Sequence, residues 1–187
     1  MSLVRYYCAV SLDGYIAEAD DSLDWLLGYE GSFEDADSTE RRGGYESFYE
    51  GIGALVSGSV TYEWVLDHVD EWPYGGKPTW VLSSRELPRP EGDDVDIRIV
   101  EASVRELVDK MRDAAGERDV WVVGGGNVAS QFADEGLLDT VEVTVVPVVL
   151  GAGKPLFERR LRGGPMQLLG AETHSSGMVG LRYEIRR

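Results

Sequence analysis

Apolar residues fall in short clusters along the chain, and the spacing within the clusters alternates between two kinds. Residues 3–10 (Leu-Val-Arg-Tyr-Tyr-Cys-Ala-Val) and 120–123 (Val-Trp-Val-Val) are runs rich in β-branched and aromatic side chains, the pattern of strands covered on both faces. Residues 54–56, 79–82 and 97–100 are shorter runs of the same kind, and 140–149 is a longer one. Between them the apolar spacing turns helical. Ser103 is placed to cap a helix running to about Ala115, with Val104, Leu107, Val108 and Met111 as its buried stripe and Gly116 as its stop. Val128, Ala129, Phe132 and Ala133 repeat at helical spacing, and Gly136 closes that helix. Residues 44–50 read as helical, with Tyr45, Phe48 and Tyr49 on one face. Asp13-Gly14 marks a turn, 24–27 lie in an acidic loop, 31–44 read as loop, and 72–78 and 151–157 are turn-rich. Residues 166–173 and 178–185 predict two last strands around a turn at 174–177. Alternating strands and helices followed by two strands predict an α/β fold, a mostly parallel sheet with an antiparallel C-terminal edge hairpin. With no repeat, linker or low-complexity segment, residues 1–187 are expected to form one domain.

The candidate chemistry lies where strands end. Residues 120–123 run into Gly124, Gly125 and Gly126, and a helix follows with Asn127 and Val128 in its first turn. Glycine lets backbone N–H groups approach a ligand, and a helix N-terminus adds unpaired donors and partial positive charge, which suits a phosphate. The same glycines can simply form a tight turn, since their spacing matches neither the dinucleotide nor the P-loop fingerprint. A second junction of this type is Gly58-Ser59-Val60-Thr61, where Thr61 is either a plain N-cap or a phosphate donor. A third follows Leu82, where Ser83, Ser84 and Arg85 suit a ribose or phosphate at the carboxyl edge of a parallel sheet. Trp25 reads as a core plug or as one wall of a pocket. His68 and His174 belong to no ligand motif.

Taken in order, several motifs resemble the dihydrofolate reductase-like fold. They are Ser11-Leu12-Asp13-Gly14-Tyr15-Ile16-Ala17, Asp24-Trp25-Leu26, Gly58-Ser59-Val60-Thr61-Tyr62-Glu63, Glu71-Trp72-Pro73-Tyr74, Val123-Gly124-Gly125-Gly126, and Pro147 with Gly151-Ala152-Gly153 and Leu156-Phe157. Within that three-layer fold the chain is similar to stand-alone proteins resembling the reductase domain of bacterial riboflavin biosynthesis. The resemblance implies NADPH-dependent hydride transfer to a pyrimidine- or pteridine-type heterocycle, as in 5-amino-6-(5-phosphoribosylamino)uracil reductase. Dihydrofolate reduction and nucleotide binding without turnover are the alternatives. By position, Ala9, Ile16 and Ala17 would line the nicotinamide pocket. Gly58, Ser59, Thr61, Gly124, Gly125, Gly126, Asn127 and Val128 would hold the pyrophosphate, with the peptide between Gly124 and Gly125 in the cis form. Leu82, Ser83, Ser84 and Arg85 would hold the adenosine end. Trp25, Phe48, Tyr49 and Thr144 would bind substrate, and Lys154, Arg159, Arg160 and Arg162 are candidates to grip a substrate phosphate. Two departures stand out. Ser59 replaces an Arg that the family uses for the cofactor 2′-phosphate, so either Arg85 compensates or NADH is accepted. The supporting carboxylate of dihydrofolate reductases has only Glu46 or Glu30 as counterparts, and each can equally be a solvated surface residue. The resemblance also implies a homodimer.

Composition narrows the picture. The chain of 187 residues is 43 % hydrophobic, enough for a good core. The single cysteine, Cys8, excludes an internal disulfide and a multi-cysteine metal site and is expected to be buried. Without a signal-like or membrane-length apolar run, a cytoplasmic protein without membrane partners is the expectation. A net charge of −16 disfavours nucleic acid as a partner. It also repels an anionic cofactor at long range, so a phosphate site needs local donors. Only Lys77, Lys110 and Lys154 among the 18 basic residues are lysine, and an acidic, lysine-poor surface fits a salt-rich milieu in which self-repulsion is screened. The melting temperature is therefore expected to rise between about 0.1 M and about 2 M NaCl, measured by thermal unfolding; an unchanged or falling value counts against this reading.

Overall fold

The computed structural model describes residues 2–29, 45–162 and 164–186. Ten strands and five helices follow in order: β1 (Val4–Ser11), β2 (Tyr15–Ala17), α1 (Asp24–Leu27), α2 (Ser47–Glu50), β3 (Ile52–Gly58), α3 (Ser59–His68), β4 (Thr79–Leu82), β5 (Ile97–Val100), α4 (Val104–Ala115), β6 (Asp119–Gly124), α5 (Gly126–Asp134), β7 (Thr140–Val146), β8 (Lys154–Pro155), β9 (Gln167–Thr173) and β10 (Val179–Glu184). Eight strands form one sheet in the order β5-β4-β3-β6-β1-β7-β10-β9, and β2 pairs with β8 separately. All pairings from β5 to β7 are parallel; β10 is antiparallel to both β7 and β9. The expected parallel sheet with an antiparallel C-terminal hairpin is the one formed.

β1 lies between β6 and β7, with Val4 opposite Val120 and Ala9 opposite Thr144. Its alternation sends Val4 and Tyr6 to one face of the sheet, where they join Val56, Val120 and Val122 beneath Leu107, Val108 and Met111 of α4 and Ala129 and Phe132 of α5. The opposite face carries Leu55 and Trp121 against Phe48 and Ile52. A satellite core of Tyr62, Trp72, Val81 and Ile97 closes the β4–β5 end. Arg5 ties the three central strands together. It donates to both Glu142 oxygens at 2.7 and 2.9 Å and to Asp119 at 3.3 Å, with its guanidinium carbon 4.6 Å from the centre of the Phe48 ring. Bidentate, charge-assisted bonds of this kind fix geometry as well as adding energy.

Four details differ from the sequence expectation. β7 stops at Val146 rather than Val149, because Pro147 has no N–H to continue the ladder and Val148 turns back to donate to the Val146 carbonyl at 2.8 Å. Lys154 and Pro155 form a short strand, not only a turn. Residues 24–27 make one helical turn inside the acidic loop. Thr61 is the third residue of α3, not its cap; Gly58 holds the cap position. By contrast α4 starts and stops where the spacing places it. The Ser103 hydroxyl oxygen accepts from the Glu106 backbone, Glu106 accepts from the Ser103 N–H at 2.9 Å, and Gly116 ends the helix at φ 65°. Among the described residues no helix is long and apolar enough to cross a membrane. Because the α4 cap is exposed and complete, Ser103→Ala is expected to cost about 1 kcal/mol, read as a lower urea midpoint at unchanged m.

Candidate functional site

Parallel strands bring their carboxyl ends to one edge of the sheet, and a cavity of about 860 Å³ opens there. Ala9 of β1, Val123 of β6 and Thr144 of β7 form its floor, and Leu82 of β4 reaches its side. Ile16 and Ala17 of β2 stand opposite with Lys154 and Pro155 of β8. Residues 58–61 and 124–128 supply two strips of the wall, so both strand–glycine–helix junctions converge on the same space. Their helix ends share a property that the α4 end lacks. Neither α3, capped by Gly58 at φ −82° and ψ 167°, nor α5, capped by Gly125 at φ 42° and ψ 146°, has a side chain accepting from its first-turn N–H groups. Helix starts without side-chain acceptors, facing a cavity, are donor sets for an anion.

The three glycines of the second junction have separate reasons. A Cβ at Gly124 would lie 3.0 Å from the Thr61 hydroxyl oxygen, and one at Gly126 would lie 2.3 Å from the Pro155 carbonyl oxygen. Gly125 is required by its positive φ, and among the described residues its side of the turn meets only the Thr61 hydroxyl, at 3.9 Å. The chain reverses there with all described peptide bonds trans, including that between Gly124 and Gly125. The cis bond expected from the resemblance is absent; Gly125 makes the turn through φ instead.

The rest of the wall is aromatic and acidic. Tyr7, Tyr45, Tyr74 and Trp121 line it, with Glu46 beside Tyr45. Trp121 meets Tyr7, Tyr45 and Tyr74 edge-on and donates its indole N–H to the Tyr7 carbonyl at 3.1 Å. Burial pushes the Tyr45 phenol up to about 12 and raises Tyr74 and Tyr7, the last opposed by its bond to the Thr144 hydroxyl. Burial also pushes the Cys8 thiol, on the same wall, up to about 12, so it is no thiolate nucleophile at neutral pH. Asp21 and Glu158 complete the charged wall. Asp21 is 3.4 Å from Lys154 Nζ, and Glu158 accepts from the Asn127 amide.

Several residues expected at the site lie elsewhere. Phe48 is 5 % exposed and stacks on Tyr7 at 4.4 Å, because α2 turns it inward onto Trp121. Tyr49 stacks on Tyr45, and its ring is taken by the Lys77 ammonium at 4.3 Å. Trp25 is not on the cavity wall, where Leu23 and Leu26 stand. Ser83 accepts from the Arg85 N–H at 3.0 Å in a local turn, and neither it nor Ser84 reaches the wall. Arg85 is also outside the cavity; both its terminal nitrogens donate to Glu63, at 2.7 and 3.2 Å. Arg159 pairs with Asp134 at 3.2 Å, and neither it, Arg160 nor Arg162 lines the cavity. Glu46 does line it; Glu30 lies outside the described residues. No group of three or more His, Cys, Asp or Glu able to hold a metal occurs among the described residues.

The sequence pattern of the RibD C-terminal domain matches residues 63–179, more than half of the chain. The chain belongs to the RibD C-terminal domain family. The uncharacterized Bacillus subtilis protein YwjB is 32 % identical over 178 residues, 95 % of this chain and 94 % of that one. A crystal structure of a candidate riboflavin biosynthesis protein from Shewanella sp. PV-4 superposes with a TM-score of 0.81 at 28 % identity, covering 99 % of each chain. The diaminohydroxyphosphoribosylaminopyrimidine deaminase/5-amino-6-(5-phosphoribosylamino)uracil reductase of Thermotoga maritima shares the fold, with a TM-score of 0.65 at 18 % identity. This chain is covered to 99 % and spans 57 % of that longer one. The fold is the dihydrofolate reductase-like one that the motif order suggested.

In this RibD C-terminal domain chain, Asp13 braces the loops that follow β1 and β7. One carboxylate oxygen accepts from Ser11 Oγ at 2.7 Å and from the Leu150 N–H at 3.1 Å; the other accepts from the Gly151 N–H at 2.7 Å. It thereby ties the β1–β2 turn to the β7–β8 connection. These bonds, led by that from Ser11, hold its carboxyl below the usual range. A depressed folded pKa contributes stability above the unfolded value, and that stability is lost as pH falls through the folded value. Asp13→Asn is therefore expected to lower the urea midpoint at pH 7, with the gap to the parent narrowing as pH falls below about 4; a gap that stays the same size contradicts the linkage.

Proposed function

We propose that this chain is an NAD(P)H-dependent reductase delivering hydride to a nitrogen heterocycle of pyrimidine or pteridine type. The uracil reductase named in the Thermotoga maritima protein takes a substrate of the pyrimidine class. The observation that carries the reading is the meeting of two helix N-termini without side-chain caps on one cavity, across a turn in which Gly125 leaves the backbone approachable. A pyrophosphate fits that donor set: first-turn N–H groups of α3 and α5, the Thr61 hydroxyl and the Asn127 amide. The chain's charge of −16 makes such local donors necessary. Bound there, a dihydronicotinamide supplies a hydride equivalent from its C4 carbon. Ala9, Ile16 and Ala17 give that ring a small apolar bed, and β2 with β8 shields it from water. The Tyr7 and Thr144 hydroxyls offer hydrogen bonds to an acceptor above the floor.

Cofactor choice follows from charge. Ser59 offers a hydroxyl where a cation would hold a 2′-phosphate, and Arg85 is occupied by Glu63 with its side chain 58 % exposed. Titration with NADPH and NADH, read by quenching of tryptophan fluorescence, is expected to show binding of both, with NADPH favoured by less than about tenfold. Glu63→Gln releases Arg85 and is expected to shift the ratio toward NADPH by several-fold. Quenching by neither dinucleotide, at low and at molar salt, would sink the reductase reading. Binding of either without oxidation by any pyrimidine or pterin would leave a nucleotide-binding module.

A further inference from the structure

A carboxylate stands beside the donors that would hold an anion, and two bonds put it there. Glu158 follows β8, and its backbone N–H donates at 3.2 Å to the hydroxyl of Ser130, a fully buried residue of α5. Its side chain accepts from the amide of Asn127, in the first turn of the same helix. The oxygen of that amide accepts from Gln131 at 2.7 Å, so its two neighbours fix which end of the Asn127 amide points which way. Asn127 and Gln131 are one turn apart on one face of α5, and both line the cavity with Glu158. Lys154 lies at the other end of this wall, paired with Ala17 of β2 and 3.4 Å from Asp21. Arg159, next in the chain, is paired with Asp134 at 3.2 Å.

Resting on the reductase reading above, we propose that Glu158, braced by Ser130 and Asn127, receives the adenosine ribose of the dinucleotide and favours a free 2′-hydroxyl over a 2′-phosphate. The place along the cofactor follows from the cradle. With the pyrophosphate between the starts of α3 and α5, and the nicotinamide over Ala9, Ile16 and Ala17, the other half extends along α5 past Asn127 toward Gln131. The first group beyond the pyrophosphate on that side is a ribose. Two amides and a carboxylate offer it donors and acceptors together, the set that sugar hydroxyls use. The carboxylate also discriminates. It accepts from a 2′-hydroxyl, as the acidic residue of dinucleotide-binding α/β folds does, and it repels a 2′-phosphate. Glu158 thus works against NADPH from the α5 side, while Ser59 withholds a cation from the α3 side. Gln131 has no charge to offer either cofactor and serves to hold the Asn127 amide with its nitrogen toward Glu158.

The test measures binding of NADH, NADPH, ADP and 2′,5′-ADP to the full chain by titration calorimetry. Glu158 is exposed, so its replacement opens no core. Glu158→Gln keeps an oxygen for the Asn127 amide and removes the charge. It is expected to tighten NADPH and 2′,5′-ADP about three- to fivefold and to leave NADH and ADP within about twofold. The gain is expected to shrink between about 0.1 M and about 2 M NaCl, as a charge effect must. Glu158→Ala, which removes the acceptor as well, is expected to weaken NADH several-fold where the Gln variant does not. Glu117→Gln makes the same change in net charge at an exposed position outside the cavity wall and is expected to move neither ratio. A Glu158→Gln variant that shifts 2′-phosphorylated and unphosphorylated ligands by the same factor, or shifts neither, overturns the ribose assignment while the parent's dinucleotide binding leaves the reductase reading standing. A parent that binds neither dinucleotide, at low and at molar salt, overturns the reductase reading and this assignment with it.

Discussion

Two places leave no room for a side chain between one stretch of backbone and another, and the site depends on both. A Cβ at Gly126 would sit 2.3 Å from the Pro155 carbonyl oxygen, and a Cβ at Gly153 would sit 2.2 Å from that of Ala17. These contacts seat the start of α5 and the β2–β8 pair against each other. Hydrogen bonds continue the seam. Leu156 N–H donates to the Gly14 carbonyl at 3.0 Å, the Tyr6 hydroxyl donates to the Leu156 carbonyl at 3.2 Å, and Asp13 grips 150 and 151. Without this seam the carboxyl edge of the sheet would be an open shelf. With it, the edge becomes a cavity with a front wall. Interiors packed this closely do not yield by small amounts, so a side chain at either glycine displaces the wall rather than the glycine.

The electrostatics follow a division of labour. A chain of net charge −16 cannot attract a dinucleotide at long range, and several of its cations, Arg5, Arg85, Lys154 and Arg159 among them, are paired with carboxylates. At the cavity, the main donors toward an anion are backbone: the N–H groups that open α3 and α5. Backbone donors hold their positions through the fold itself and are not neutralised by neighbouring carboxylates, as a lysine or arginine would be. Such a site tolerates an acidic surface, and the tolerance grows where salt shortens the reach of that surface.

Much of the scaffold was legible because single residues decide it. Ser103 and Gly116 bracket α4, and 79–82 and 97–100 are strands with the bounds their apolar runs indicate. The wall of the cavity was legible where backbone makes it, at 58–61 and 124–128, and less so where side chains make it. Phe48 and Tyr49 share an aromatic stretch with Tyr45, yet only Tyr45 faces the cavity; which ring turns inward depends on Trp121, far away in the chain. Arg85 follows a strand end as a phosphate ligand would, but Glu63 on α3 claims it, a pairing with no local signal. Tyr7 and Trp121 went unassigned because strands buried on both faces read as continuous apolar runs. A signal existed nonetheless: Tyr7 and Ala9 alternate onto one face, so a residue lining the floor implicates the one two places before it.

The glycine-rich turn shows why composition and geometry carry different weight. Read as composition, three consecutive glycines suggest a phosphate cradle. In the structure two of them answer to packing, Gly124 against Thr61 and Gly126 against β8, and only Gly125 answers to conformation. A plain tight turn would need the same three residues. What separates a binding turn from a plain one is therefore what lies behind it. Here two helices start without side-chain acceptors and aim their first turns into one space, while α4, whose start does not line that space, is fully capped by Ser103 and Glu106. Compared with α4, the two helix starts that share a cavity have foregone roughly a few tenths of a kcal/mol each, since glycine at the cap position costs little. An anion bound between them restores that loss by taking the place of the missing caps.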